Sequence, residues 1–303
     1  MENSALSTAR CASALLGSLS DAELELTRGS LDDPRLTEWT YLPGDRPGLP
    51  VEALGAEQHA LVIELLRSAH SAEGADLAVG AIEVERVRRE LVTGSPPDGD
   101  RPWGWRINGH HLAVHAIAVG DRFTVTPHFL GSEPAQVPSG GRLLGLEEDL
   151  ARELASGLDP DQRTLGIAAD TAPDDILTRY DPVADPTLLP RGIGRDLLRA
   201  DQRDLLDRLV RRYLDRAPKD YADHCWTEAL AAGDEHVRFA WSGPIERASG
   251  NGHYYCVTTP EFLIEFDNTQ DDANHAHSVW RHLRDDWGRD LLREHYERRH
   301  GSP

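Results

Sequence analysis

The sequence predicts an α+β fold: a largely antiparallel sheet from two three-strand blocks, packed with a helical N-terminal region and further helices. Three observations carry this. Apolar residues recur at helical spacing from about residue 5 to residue 92. Two later stretches, 103 to 131 and 236 to 269, carry β-branched and aromatic residues between tight turns. Amphipathic helical patterns lie between these stretches and after them, so helices and antiparallel strands come in separate runs.

Taken in order, residues 5 to 29 predict two short helices, the second started by Ser20 with Glu23 three residues on, a capping box. A Pro/Gly-punctuated connection, "EWTYLPGDRPGLP", leads to helices over 57–74 and 76–92, and "TGSPPDGDRP" reads as a loop. "WGWRI", "HHLAVHAIAVG" and "RFTVTPHFLG" then predict a three-strand meander, with turns at Asn108-Gly109 and Gly120-Asp121. Short helices are expected over 146–156 and 159–168, and residues 170 to 194 are irregular. Two helices over 200–233 precede the strands "HVRFAWSG", "HYYCVTT" and "EFLIEFDNT", and a last helix runs from about Trp287 to Glu297.

A chain of 303 residues with one such run of elements is expected to form a single α+β domain, 1–303, helical to about 92 and sheet-containing from about 100 to 300. A net charge of -20 repels phosphate backbones, so nucleic acid is excluded as an expected partner. Lys219 is the sole lysine among the 32 basic residues, which leaves Schiff-base chemistry almost no candidate. There is no G-x-x-x-x-G-K-[ST], G-x-G-x-x-G or G-x-S-x-G segment. Cys11, Cys225 and Cys256 are odd in number and widely spaced, against a disulfide framework or a Cys-x-x-Cys zinc site. With no basic leader and no run of 18 apolar residues, the expected location is the cytoplasm, without a membrane anchor.

Histidines and acids concentrate in two places. In "NGHHLAVHAIAV" an extended strand puts His111, Ala113 and His115 on one face and His110, Leu112 and Val114 on the other. In "FLIEFDNTQDDANHAHSVW", Glu265 and Asp267 share a strand face, and His275 and His277 share one only if that segment is extended; in a helix they diverge. Neutral imidazoles with a carboxylate are a common ligand set for iron, copper, zinc or manganese. The competing readings are a wet sheet face for the first segment and Asx-capped turns for the second. If the strand 110–119 lay beside the strand 261–267, His111, His115, Asp267, His275 and His277 would converge.

Smaller expectations attach to other residues. Arg106 and Arg281 are candidates to grip a substrate carboxylate, against the default of pairing with an acid. Trp103 and Trp105 share a face and suit core packing better than a pocket wall. Glu147 and Glu148 open a helix, where negative charge is favoured in any case. Asp271 and Asp272 read as solvated turn residues.

The segments "PWGWRINGHHLAVH", "RFAWSG" and "HYYCVTTPEFLIEFDNTQDDANHAHSVWRHLRDDWGRDLLREHY" resemble the bacterial family catalogued as domain of unknown function 3500, from about residue 33 to the C-terminus. The resemblance implies that the W-G-W-R strand, the double histidine and the N-H-A-H segment belong to one fold. His115 departs from that pattern, where asparagine is usual, which ranks it behind His111.

Together these observations predict a metal-dependent enzyme with a mononuclear divalent centre. His111, His275 and His277 are the expected ligands, His115 and His110 further candidates, and Asp267 a ligand or orienter. Iron or copper is favoured, for an oxidoreductase acting on a small polar or acidic metabolite. Zinc, in a hydrolase, and a non-catalytic binding protein are the alternatives.

Overall fold

Alternation along the strands sorts side chains to two faces of one sheet, and the two faces are covered by different material. In the computed structural model, residues 4–31, 33–42, 44, 46–84, 89–93, 101–137 and 141–300 are described. The helices are α1 (Ser4–Ser18), α2 (Asp21–Thr27), α3 (Ala56–Ala69), α4 (Ala72–Val84), α5 (Gly145–Gly157), α6 (Pro160–Gly166), α7 (Ala200–Leu214), α8 (Lys219–Ala231) and α9 (Arg289–His300). The strands are β1 (Leu49–Pro50), β2 (Arg89–Thr93), β3 (Trp103–Gly109), β4 (Leu112–Val119), β5 (Arg122–Thr124), β6 (His128–Ser132), β7 (Ile167–Ala169), β8 (Ile193–Gly194), β9 (Arg238–Ser242), β10 (Tyr254–Thr258), β11 (Phe262–Gln270) and β12 (His275–His282).

The sheet runs β1-β2-β3-β4-β6-β12-β11-β10-β9-β7, with β5 on β4 and β8 on β9. Its pairings are antiparallel except β7 with β9. The α+β class is therefore as expected, and the Ser20/Glu23 capping box starts α2.

Four local expectations are corrected. Residues 89–93 form a strand, not the end of a helix; pairing with β3 outweighs the helical spacing there, while 85–88 and 94–100 lie outside the described residues. "RFTVTPHFLG" is two strands, because Pro127 offers no N–H to continue a ladder. The helix expected over 159–168 stops at Gly166, and Ile167 pairs with Trp241. Finally, β4 and β11 are not neighbours: β6 and β12 lie between them.

One face is apolar and carries the helices. Leu65 and Leu66 of α3, Leu154 of α5 and Leu206 of α7 bury against Trp103, Trp105, Leu112, Phe266 and Trp280 from the sheet. Trp103 and Trp105 are thus core residues. The other face is covered by irregular chain instead: Trp39 and Tyr41, Ile176 and Trp287 pack onto Ala113, Phe129 and Val279.

Irregular chain on a sheet must find partners for its backbone polar groups. Charged side chains of the sheet supply them. Arg106 donates through Nη1 to the carbonyls of Arg35, Leu36 and Glu38 at 2.9–3.2 Å. Arg281 donates through Nε to Asp286 at 2.6 Å and through Nη2 to the carbonyls of Asp181 and Pro182 at 2.9 and 3.2 Å. Glu265 accepts from the amides of Leu177 (2.6 Å) and Thr178 (3.1 Å), the Thr178 hydroxyl and the Tyr254 hydroxyl (2.8 Å). Both arginines proposed to grip a substrate are therefore engaged by the protein's own backbone, and Arg281 by an acid as well.

Glu265→Ala strands two buried amides and two hydroxyls. It is expected to lower unfolding free energy by roughly 2–4 kcal/mol in urea titration, and to speed amide exchange at Leu177 and Thr178 ahead of the helix-covered strands. Wild-type exchange at those two amides would count against the anchoring role.

Candidate metal centre

In the segment that decides the site, 274–278, the chain is extended from His275 on. β12 puts His275, His277, Val279 and Arg281 on the irregularly covered face, while Ala276 and Trp280 join the helix-side core. His110 and His111 are not strand residues as expected; they form the bend between β3 and β4, because Asn108 still pairs with Ala113 and the turn falls after Gly109. The bend stacks the two rings, with centroids 4.0 Å apart, instead of sending them to opposite faces.

Gly131 of β6 makes room for this. It pairs with His277, and its amide donates to the His111 carbonyl at 2.9 Å. A Cβ at Gly131 would stand 2.4 Å from His111 Cδ2, so the imidazole occupies the space a side chain would take.

Four imidazoles consequently meet across β4, β6 and β12. His111 Nε2 and His275 Nε2 are 2.8 Å apart. The His275 ring centroid lies 4.6 Å from that of His277, and His111 lies 5.6 Å from His277. Acids border them in two adjoining groups. His110, His111, His275 and Glu133 present donor atoms within 4.8 Å of one another, and so do Asp175, Asp267 and His277.

Sequence reasoning had no place for Asp175, Tyr41 or Glu133. Asp175 Oδ1 accepts from His277 Nδ1 at 2.9 Å, and Tyr41 donates its hydroxyl to Asp175 Oδ2 at 2.9 Å. Burial works against the Asp175 charge, but the bonds from His277, Tyr41 and the Ile176 amide outweigh it and hold the carboxyl below its usual range. With Nδ1 donating, His277 Nε2 is left as an acceptor, buried and without a hydrogen-bond partner among the described residues. Asp267 sits across from His277 and accepts from the amide and hydroxyl of Thr269. Burial pushes its carboxyl well up, against the Thr269 bonds and aided by the Asp175 charge.

Two further placements differ from expectation. Asp271 is not only a turn residue, since its Oδ2 lies 3.4 Å from His275 Nδ1. His115 belongs to neither group; its ring packs edge-on to Trp287 at 4.4 Å and its Nδ1 faces the Pro127 carbonyl at 3.4 Å. Beside Asp271 opens a cleft of about 650 Å³ whose wall includes Arg142, Arg152 and Arg247. All three guanidinium groups converge on Glu148.

Fold and site together describe an α+β protein that buries a histidine–carboxylate cluster under irregular chain on one face of its sheet. The chain belongs to the family described as "Protein of unknown function (DUF3500)", whose family model matches residues 2–289. No curated protein and no solved structure matches it. Among the described residues no helix is long and apolar enough to cross a membrane, and the three cysteines are free.

Two outcomes follow from this geometry. Burial, helped by the charges of His277 and His111, holds the His275 imidazole down to about 4; burial likewise holds His70 and His282 down to about 4, and His115, His128 and His253 well below the usual 6.5. The unfolded chain binds more protons at these six sites, so their stabilisation is complete above about pH 6.5 and drains away as pH falls towards 4. Asp267, Glu265 and Asp285 are raised by burial and act in the opposite sense. With six groups against three, the urea midpoint is expected to be lower at pH 5 than at pH 7.5; an equal or higher midpoint contradicts the assignment.

Gly131→Ala is expected to displace the His111 ring and cost about 1–3 kcal/mol. The His111 imidazole resonances should shift by NMR while those of His70 and His128, on the other face, stay in place.

Proposed function

We propose that the chain is a metal-dependent enzyme, a non-haem iron or copper oxidoreductase, with its ion in the group formed by His110, His111, His275 and Glu133. The observation that carries the reading is the buried pair His111 Nε2 and His275 Nε2, face to face at 2.8 Å with two more imidazoles beside them. Two nitrogens on one ion, at bonds of about 2.1 Å, stand about 3.0–3.4 Å apart, so a small opening of the pair admits the metal. A nitrogen-rich site with one carboxylate suits copper, iron or zinc, and bound iron or copper would supply one-electron and dioxygen chemistry.

The chain's own residues provide the rest. Tyr41 and Asp175 hold the ring plane of His277 beside this group. Phe129 and Tyr41 pack against the His277 ring and keep water from that side. The substrate is a small polar or acidic molecule, reaching the group from the cleft beside Asp271. The cytoplasm is the proposed location, and neither nucleic acid nor membrane is a proposed partner.

A zinc hydrolase is favoured by one observation, the Asp267 carboxyl. It is buried directly across from His277, where a carboxyl can serve as a general acid.

Elemental analysis of protein purified without a histidine tag is expected to find iron or copper, and zinc instead under the second reading. His111→Ala and His275→Ala should each remove the ion held by this group while retaining the wild-type far-UV spectrum. Unchanged metal in both variants would end the proposal.

A further inference from the structure

The centre proposed above, held by His110, His111, His275 and Glu133, leaves a second set of donors unused, among them His277 and Asp267, which the sequence reading had placed with His111 and His275. Asp175, Asp267 and His277 present ligand atoms within 4.8 Å of one another, next to the first group but sharing no residue with it. Asp267 is buried and the Asp175 side chain is 13% exposed, and among the described residues neither forms an ion pair with arginine or lysine. Asp175 has the His277 ring, the Tyr41 hydroxyl and the Ile176 amide; Asp267 has only Thr269. Two carboxylates this close and this little exposed repel one another when ionised, and the neighbouring arginine on the face, Arg281, is spent on Asp286. His277 Nδ1, bonded to Asp175 Oδ1 at 2.9 Å, is the ring nitrogen on that carboxylate's side, so an ion held by both takes the place of this hydrogen bond.

We infer that the protein holds two divalent cations, the second bound by Asp175, Asp267 and His277 beside the ion of the histidine group. This rests on the reading of His110, His111, His275 and Glu133 as a metal centre, and extends it from one ion to a pair. The two donor sets differ in character: three imidazoles and one carboxylate in the first, one imidazole and two carboxylates in the second. The second is the harder, more anionic site and suits ferrous iron, manganese or zinc in preference to copper. His275 and His277 are successive residues on one face of β12 with ring centroids 4.6 Å apart, so ions held by them are close enough to act on one substrate.

The test is metal stoichiometry, independent of any activity. Chelator-stripped, untagged full-length protein is titrated with Co²⁺ and followed by its visible absorption and by elemental analysis after gel filtration. The wild type should take up two equivalents per chain, and the isosteric double variant Asp175→Asn/Asp267→Asn one, with the His111→Ala/His275→Ala variant also reduced to one. One equivalent in the wild type that the Asp→Asn variant retains overturns the second site and leaves the first reading standing. No uptake removes both. Two equivalents retained by the Asp→Asn variant place the second ion elsewhere and also overturn the inference. Should the double variant fold poorly by circular dichroism, magnetic coupling between two Cu²⁺ or Mn²⁺ ions in the wild type decides the matter: its presence at two equivalents supports the pair, and isolated-ion spectra at saturation refute it.

Discussion

The polar face of this sheet depends on one interaction, the buried carboxylate of Glu265 accepting the amides of Leu177 and Thr178. A helix satisfies its own backbone and can lie on a sheet mainly through apolar side chains, as α3, α5 and α7 do on the opposite face. The segment around 174–182 has no such internal ladder, so its amides and carbonyls must be matched from below. A carboxylate serves the amides and a guanidinium the carbonyls: Glu265 holds Leu177 and Thr178, Arg281 holds Asp181 and Pro182, and Trp287 Nε1 donates to Pro182 as well. Burial pushes the Glu265 carboxyl upward, which measures the cost at which this cover is held.

That cover matters because it carries Asp175. Two residues upstream of Leu177, Asp175 reaches His277 and takes the Tyr41 hydroxyl, so the position of the carboxylate beside the imidazole is inherited from the Glu265 anchor. Tyr41 in turn stacks on Phe129 of β6 at 4.5 Å, joining the 34–42 segment to the same site. The irregular segments are therefore a structural part of the cluster, and their buried charges and aromatics hold donors in place.

How much of this was legible in the sequence follows from what each residue's neighbours are. Histidines on strands announce themselves by alternation, and "HAHSVW" gave His275 and His277 as a pair once extension was granted. The meander and the second strand block were legible for the same reason. Asp175 was not, because in "PDDILT" nothing separates it from Asp174, although the Asp174 side chain is 89% exposed and the Asp175 side chain 13%. Arg106 and Arg281 were legible as cations but not as carbonyl donors, since their partners lie some 70 and 100 residues away along the chain. The strand at 89–93 was missed because only β3, its partner, makes it one.

A single irregularity in pairing fixes the Asp267 carboxylate of the second donor set. Along β12 the step from His277 to His275 is two residues, but on β11 the matching step from Asp267 to Gln270 is three, a one-residue bulge. The extra residue lets Thr269 fold back and give its amide and hydroxyl to Asp267. Asp267 is thereby fixed across from His277, and β11 brings Gln270, not a carboxylate, opposite His275. His275 is left to the His110–His111 bend and to Glu133, while His277 keeps Asp267 and Asp175. Period-two alternation sets the two imidazoles side by side, and the bulge frees Thr269 to anchor the carboxylate beside one of them. A sheet in perfect register would have set Thr269 opposite His275 instead.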